Sequence, residues 1–144
     1  MVTITQLAAS CEAIVTAIPE ITGGSFMVID QANTKSKLVN KPNIILVAAV
    51  PSAQSRGQAG MRRNENAVIF FILEKNKNHE DDVKQLERLQ PIVLKLQRWL
   101  EDQAEQPPEP GCTPFYYLET GQISIDPVYN DFGGFNGWSL TIVF

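Results

Sequence analysis

Histidine is almost missing from this 144-residue sequence: His79 is the single example. A Ser/His/Asp or Cys/His catalytic arrangement would have to recruit that residue, which lies in a hydrophilic stretch read as a solvated turn. Cysteine is nearly as scarce. Cys11 and Cys112 are far apart and form no C-x-x-C pair, so neither a zinc site nor a disulfide framework is expected, and both are read as buried free thiols. No apolar run approaches the roughly 20 residues that cross a bilayer. Met1 to Ile18 holds no Lys or Arg and is interrupted by Glu12, so neither a membrane span nor a secretion signal is expected. No G-K-[ST] follows any glycine pair, which removes the phosphate-binding loop of nucleotide enzymes. Nothing in the sequence calls for a cofactor or a metal.

Charge of one sign is missing from two long stretches. Gln31 to Asn64 contains Lys35, Lys37, Lys41, Arg56, Arg62 and Arg63 and no acid. After Arg98 the order inverts: Glu101, Asp102, Glu105, Glu109, Glu119, Asp126 and Asp131 follow, with no Lys or Arg. The net charge of −4 conceals this segregation. A chain with a basic half and an acidic half suits contact with an anion or head-to-tail contact with a second copy.

What is present is enough for a core. With 44% hydrophobic and 19% charged residues, residues 1–144 read as one domain. Val83, Leu86, Leu89, Val93, Leu96 and Leu100 recur at helical spacing within Asp81–Glu105. Asn78 to Asp82 supplies a cap and acids for its first turn, the Pro-rich stretch from Gln106 ends it, and Pro91 is expected to bend or break it. An earlier helix starts at the capping box of Thr3 and Gln6 and buries Leu7, Cys11, Ile14, Val15 and Ile18. Ser25–Asp30, Ile44–Val50 and Ala67–Leu73 read as strands, the last two as central ones because they are continuously apolar. Strand-like segments follow at Phe115–Leu118 with Gln122–Ile125, and at Trp138–Phe144, where apolar residues alternate. The fold class expected is α+β: a mainly antiparallel β-sheet with two helices packed on one face, in the order α-β-β-β-α-β-β.

Two stretches are candidates for function. Residues 52–66 carry Gly57, Gly60, Arg56, Arg62 and Arg63 with little to bury, and read as a flexible basic loop for contact with nucleic acid or a neighbouring subunit. Gly57-Gln58-Ala59-Gly60 has the form of a backbone-clamping GXXG loop, but no second apolar helix follows it. The Gly-rich stretch between Asp126 and Gly137 holds Tyr129, Phe132 and Phe135, read as interface aromatics, with a ligand groove as the competing explanation that the sequence does not separate. Glu119, Asp126 and Asp131 lack a nearby base and read as surface carboxylates.

The order of elements, with Asp126-Pro127-Val128-Tyr129 and the final Gly137-Trp138-Ser139-Leu140-Thr141-Ile142-Val143-Phe144, resembles small structural proteins of tailed bacteriophages and prophages, of the tail terminator or tail completion class. The resemblance implies a non-enzymatic protein that forms a homo-oligomeric ring, usually a hexamer, and caps the tail tube or joins tail to head. Its implied partners are further copies of itself and tail tube or head-tail connector proteins. Its implied place is the bacterial cytoplasm and then the virion. No catalytic residue and no cofactor come with it. The alternative expectation is a small nucleic-acid-binding module using the six basic residues between Lys35 and Arg63.

Overall fold

The computed structural model describes residues 2–28, 43–50, 52–56, 63–76, 81–105, 114–115, 118 and 122–143, and of 52–56, 63–66 and 131 only the backbone. The element order is α1 (Ile4–Ala17), β1 (Ser25–Val28), β2 (Ile45–Ala49), β3 (Ser52–Arg56), β4 (Arg63–Lys75), α2 (Asp82–Ala104), β5 (Ser124–Asp131) and β6 (Phe135–Val143). The α+β class and the expected alternation of helices and strands are what the chain adopts. The additional strand β3 arises where a loop was expected.

Both helices start as their sequences dictate, with one difference. Thr3 closes the capping box: its hydroxyl accepts from the Gln6 N–H at 3.1 Å while the Gln6 carboxamide oxygen accepts from the Thr3 N–H at 2.9 Å. At α2 the cap residue is Asp81, whose side chain makes no capping bond, so Asp82 and the helix dipole remain as the local electrostatic signal. Residues 77–80, including His79, lie outside the described residues. Pro91 does not break α2, which is continuous from Asp82 to Ala104. Pro91 is exposed, so its missing N–H leaves the Glu87 carbonyl short of its helical partner at a solvent-facing position. The apolar stripe is also shorter than the spacing predicts. Leu89, Ile92, Val93, Leu96 and Leu100 are buried, but Val83 is 68% exposed.

The sheet runs β1-β2-β4-β6-β5, with β3 pairing β4 off this path. Only β1 and β2 are parallel; every other pair is antiparallel. β4 is the spine. It pairs β6 from Ala67↔Val143 to Lys75↔Phe135, while its other edge is shared in succession by β2 and β3. Ala48 pairs Phe70 and Ser52 pairs Ala67, so β2 and β3 follow one another along the same edge of β4.

Alternation along these strands splits the core in two. Leu46, Ala48, Val68, Phe70, Ile72, Leu140 and Ile142 share one cluster with Leu7, Cys11 and Ile14 of α1 and Leu89, Ile92, Val93, Leu96 and Leu100 of α2. Ile45, Val47, Leu73, Val128, Phe132 and Phe135 form the other. Full burial of four consecutive β2 residues, Ile45 to Ala48, explains why that run is apolar without alternation. Gln85 meets Asn136 early in β6, and Trp99 packs edge-on to Phe115, itself edge-on to Phe70, the partner of Leu140. α2 therefore runs in the same direction as β6.

Candidate functional site

Two features stand at opposite ends of β4, about 40 Å apart at strand rise. The first is a ribbon. β6 stops pairing at Ala67, and the remaining β4 residues, Arg63 to Asn66, pair β3 alone among the described strands. The register sets Arg56 opposite Arg63, Ser55 opposite Asn64 and Gln54 opposite Glu65. The stretch read as a flexible loop is thus strand at both ends, with residues 57–62 outside the described residues. A two-stranded ribbon is itself marginal in water.

The second feature is a polar cavity of about 260 Å³ lined by Asn76, Asp82, Tyr129, Asn130, Gly134 and Asn136. It exists because of a bulge in β5. Val128 pairs Gly137 and Asp131 pairs Phe135, leaving Tyr129 and Asn130 opposite the single residue Asn136. Asn130 takes φ +49° and Phe132 φ +52°, the left-handed region that a bulky residue avoids. Phe132 is held there by burial of its ring, edge-on to Phe71 at 5.1 Å between centroids. The chain then turns through Gly133 and Gly134, at φ +85° and +102°, into β6.

The N–H released from the ladder by the bulge finds a side chain. Asn130 N–H donates to Asn136 Oδ1 at 2.7 Å, and that contact orients every amide behind it, because a backbone N–H can only donate. Asn136 Nδ2 must then face acceptors, and it donates to Gln85 Oε1 at 2.9 Å and to Asp82 Oδ1 at 3.0 Å. Gln85, fully buried, turns its Nε2 to the Glu74 carbonyl oxygen at 3.0 Å. The relay runs from a backbone donor in β5 to a backbone acceptor in β4 through two buried carboxamides. Arg88 closes its outer end on the Glu74 carboxylate, and Asn76 Nδ2 adds a second donor to Asp82 Oδ1 at 3.1 Å.

The expected site residues divide. Arg56 and Arg63 are brought face to face by register, whereas Lys35, Lys37, Lys41 and Arg62 lie outside the described residues. Of the three aromatics read as interface groups, Tyr129 is 66% exposed, but Phe132 and Phe135 are buried core residues. The turn is shorter than expected, and β5 continues to Asp131, so their rings pack under the sheet instead of standing in a loop. Asp126 is exposed. Among the described residues no group of three or more His, Cys, Asp or Glu is placed to hold a metal ion, and no helix is long and apolar enough to cross a membrane. Cys11 is buried and free, its thiol pushed up to about 11 by burial and by the neighbouring Glu12 charge.

The relay residues Gln85 and Asn136 were not singled out by sequence. A polar residue in an apolar stripe is read as surface, and nothing local says that two such positions meet across the fold. Comparison with protein-family models, with curated proteins and with solved structures finds no match to this chain.

Proposed function

We propose that this chain is a structural assembly protein of the phage tail terminator or tail completion kind, acting without catalysis by self-association into a ring. The observation that carries the reading is the β3–β4 ribbon, polar in sequence, in which Arg56 is registered opposite Arg63 and no described strand lies beyond β3. The acceptor that suits it is the end of α2, where Glu101, Asp102 and Glu105 crowd a helix C-terminus that has no basic residue in its last turn. Cations are favoured there, and a ribbon from a second copy supplies them. A donor and an acceptor at different places on one molecule make a heterologous contact, the kind that builds a ring when its rotation closes and a filament when it does not.

Native mass spectrometry with negative-stain electron microscopy tests this directly. A closed oligomer that Arg56→Glu plus Arg63→Glu converts to a folded monomer supports the reading, and a concentrated wild-type protein that stays monomeric with no ring in the images overturns it.

The same opposed arginines favour a second reading, a nucleic-acid module. A two-stranded ribbon has the dimensions to enter a major groove, and Arg56, Arg62 and Arg63 would contact phosphates without sequence preference. Binding to duplex DNA that falls steeply with salt and is lost in Arg62→Ala plus Arg63→Ala supports it; no binding at low salt removes it.

A further inference from the structure

From the polar cavity between the β5–β6 turn and the first turn of α2, we infer a binding site for the cationic end of an extended amine, an alkylammonium or guanidinium group. The hydrogen-bonding capacity that the cavity has left selects the ligand. Both hydrogens of the Asn136 carboxamide are spent, on Gln85 Oε1 and Asp82 Oδ1, and the orientation is fixed by the Asn130 N–H behind it. Asp82 Oδ1 is occupied by two amide donors, while its Oδ2 accepts from no described residue. Asp82 and Asn136 thus offer the cavity a carboxylate oxygen and the remaining lone pair of Asn136 Oδ1, both acceptors. Among the described residues no Lys, Arg or His lines the cavity. Tyr129 completes it with an aromatic ring that is two-thirds exposed, and a ring face attracts cations.

A ligand matched to this wall brings donors and positive charge together. A phosphate or carboxylate would meet the Asp82 carboxylate, with no basic residue among the described lining residues. About 260 Å³ holds a guanidinium or ammonium head with part of its methylene stem. The relay through Gln85 to the Glu74 carbonyl holds the wall in place before any ligand arrives, which lowers the entropic cost of binding.

The test uses the whole protein and a matched pair of probes, N-acetyl-arginine amide and its neutral urea analogue N-acetyl-citrulline amide, followed by NMR of the side-chain and backbone amides of Asn130 and Asn136. Saturable shifts with the arginine probe, absent with the citrulline probe, are expected. Asp82→Asn, which keeps an acceptor at Oδ1 and removes the charge, should weaken binding about tenfold or more. Tyr129→Ala, at an exposed position outside the relay, should weaken it without changing the thermal midpoint. Equal shifts from both probes, no shift from either, or arginine binding undiminished in both variants would overturn the inference. Two sources of the cation are separated in the same experiment. Shifts at Asn130 and Asn136 that grow with protein concentration and are reversed by the arginine probe identify a side chain of a second copy; probe binding with no concentration dependence identifies a free small amine.

Discussion

The backbone N–H of Asn130 is satisfied by the side chain of Asn136 at 2.7 Å, not by a ladder carbonyl, and Asn136 is 3% exposed. This one contact joins the bulge to the helix, since the same carboxamide reaches Gln85 and Asp82. Asn136→Asp keeps the acceptor for Asn130 but turns a carboxylate oxygen toward Gln85 Oε1 and Asp82. The loss expected at neutral pH is about 3 kcal/mol, from a buried charge facing two acceptors. Burial and the Asp82 charge would raise the new carboxyl in the folded state above its unfolded value, so the destabilisation should shrink as pH falls and the group protonates. Urea unfolding of both proteins at acidic and neutral pH measures this; a penalty independent of pH would show that the relay does not act through hydrogen-bond polarity.

Gly137 gives a second prediction, one of space and not of conformation. A Cβ built there lies 1.8 Å from the Ile72 carbonyl oxygen and 2.9 Å from its carbon, so β6 cannot keep its distance from β4 with any side chain at this position. Because β4 and β6 are the central pair, the strain cannot be relieved at a sheet edge. Gly137→Ala should cost at least about 3 kcal/mol or abolish cooperative unfolding, read by circular dichroism on denaturation.

These two residues mark the boundary of what the sequence makes legible. Gly137 stands beside Trp138 in a run whose alternation declares a strand, and the continuous apolar runs through Ile45 and Phe70 declare buried ones, because burial imposes a local pattern. The capping box of Thr3 and Gln6 is equally local and equally readable. Asn136 and Gln85 are opaque for the opposite reason. They are polar residues on core-facing sides, made acceptable by each other across a sequence separation of 51 residues, and no local period encodes such a pair. Residues 52–66 mislead in a related way. Polar composition signals loop, whereas here the β4 register continues past the end of β6 and carries Arg63 into a ladder that only β3 completes. Phe132 and Phe135 look exposed in a glycine-rich stretch until the tightness of the turn folds them back under the sheet.

Cys11 supplies a pH dependence with a definite sign. Its thiol is raised in the fold from an ordinary value of 9.0 to about 11, chiefly by burial. The unfolded chain therefore releases this proton first. Below the unfolded value both states are protonated and nothing is lost; as pH rises from 9 toward 11 the unfolded state gains the ionisation that the folded state resists, and stability falls. The full effect is on the order of 2 to 3 kcal/mol. Wild type and Cys11→Ala compared by chemical denaturation should diverge in slope across that alkaline range and run parallel below it. Alkylation of Cys11 by iodoacetamide should proceed only as fast as the chain opens, so a fast reaction on the folded protein would contradict the burial on which the sign depends.

The last prediction separates the ribbon from the fold. Ser52 and Ala67 are registered opposite one another at the base of the β3–β4 ribbon. Replacing residues 53–66 by Asn-Gly joins these two positions with a two-residue turn whose twist matches an antiparallel pair. The shortened chain should fold with a stability within about 1 kcal/mol of the parent, because β4 keeps β2 and β6 along the apolar stretch that both clusters bury. On the proposed assembly reading, any self-association of the parent should be lost in the shortened chain. Sedimentation velocity alongside thermal unfolding distinguishes the outcomes: a chain that fails to fold makes the ribbon part of the domain's own stability, and one that folds and still assembles at the parent's concentration places the subunit contact somewhere other than Arg56 and Arg63.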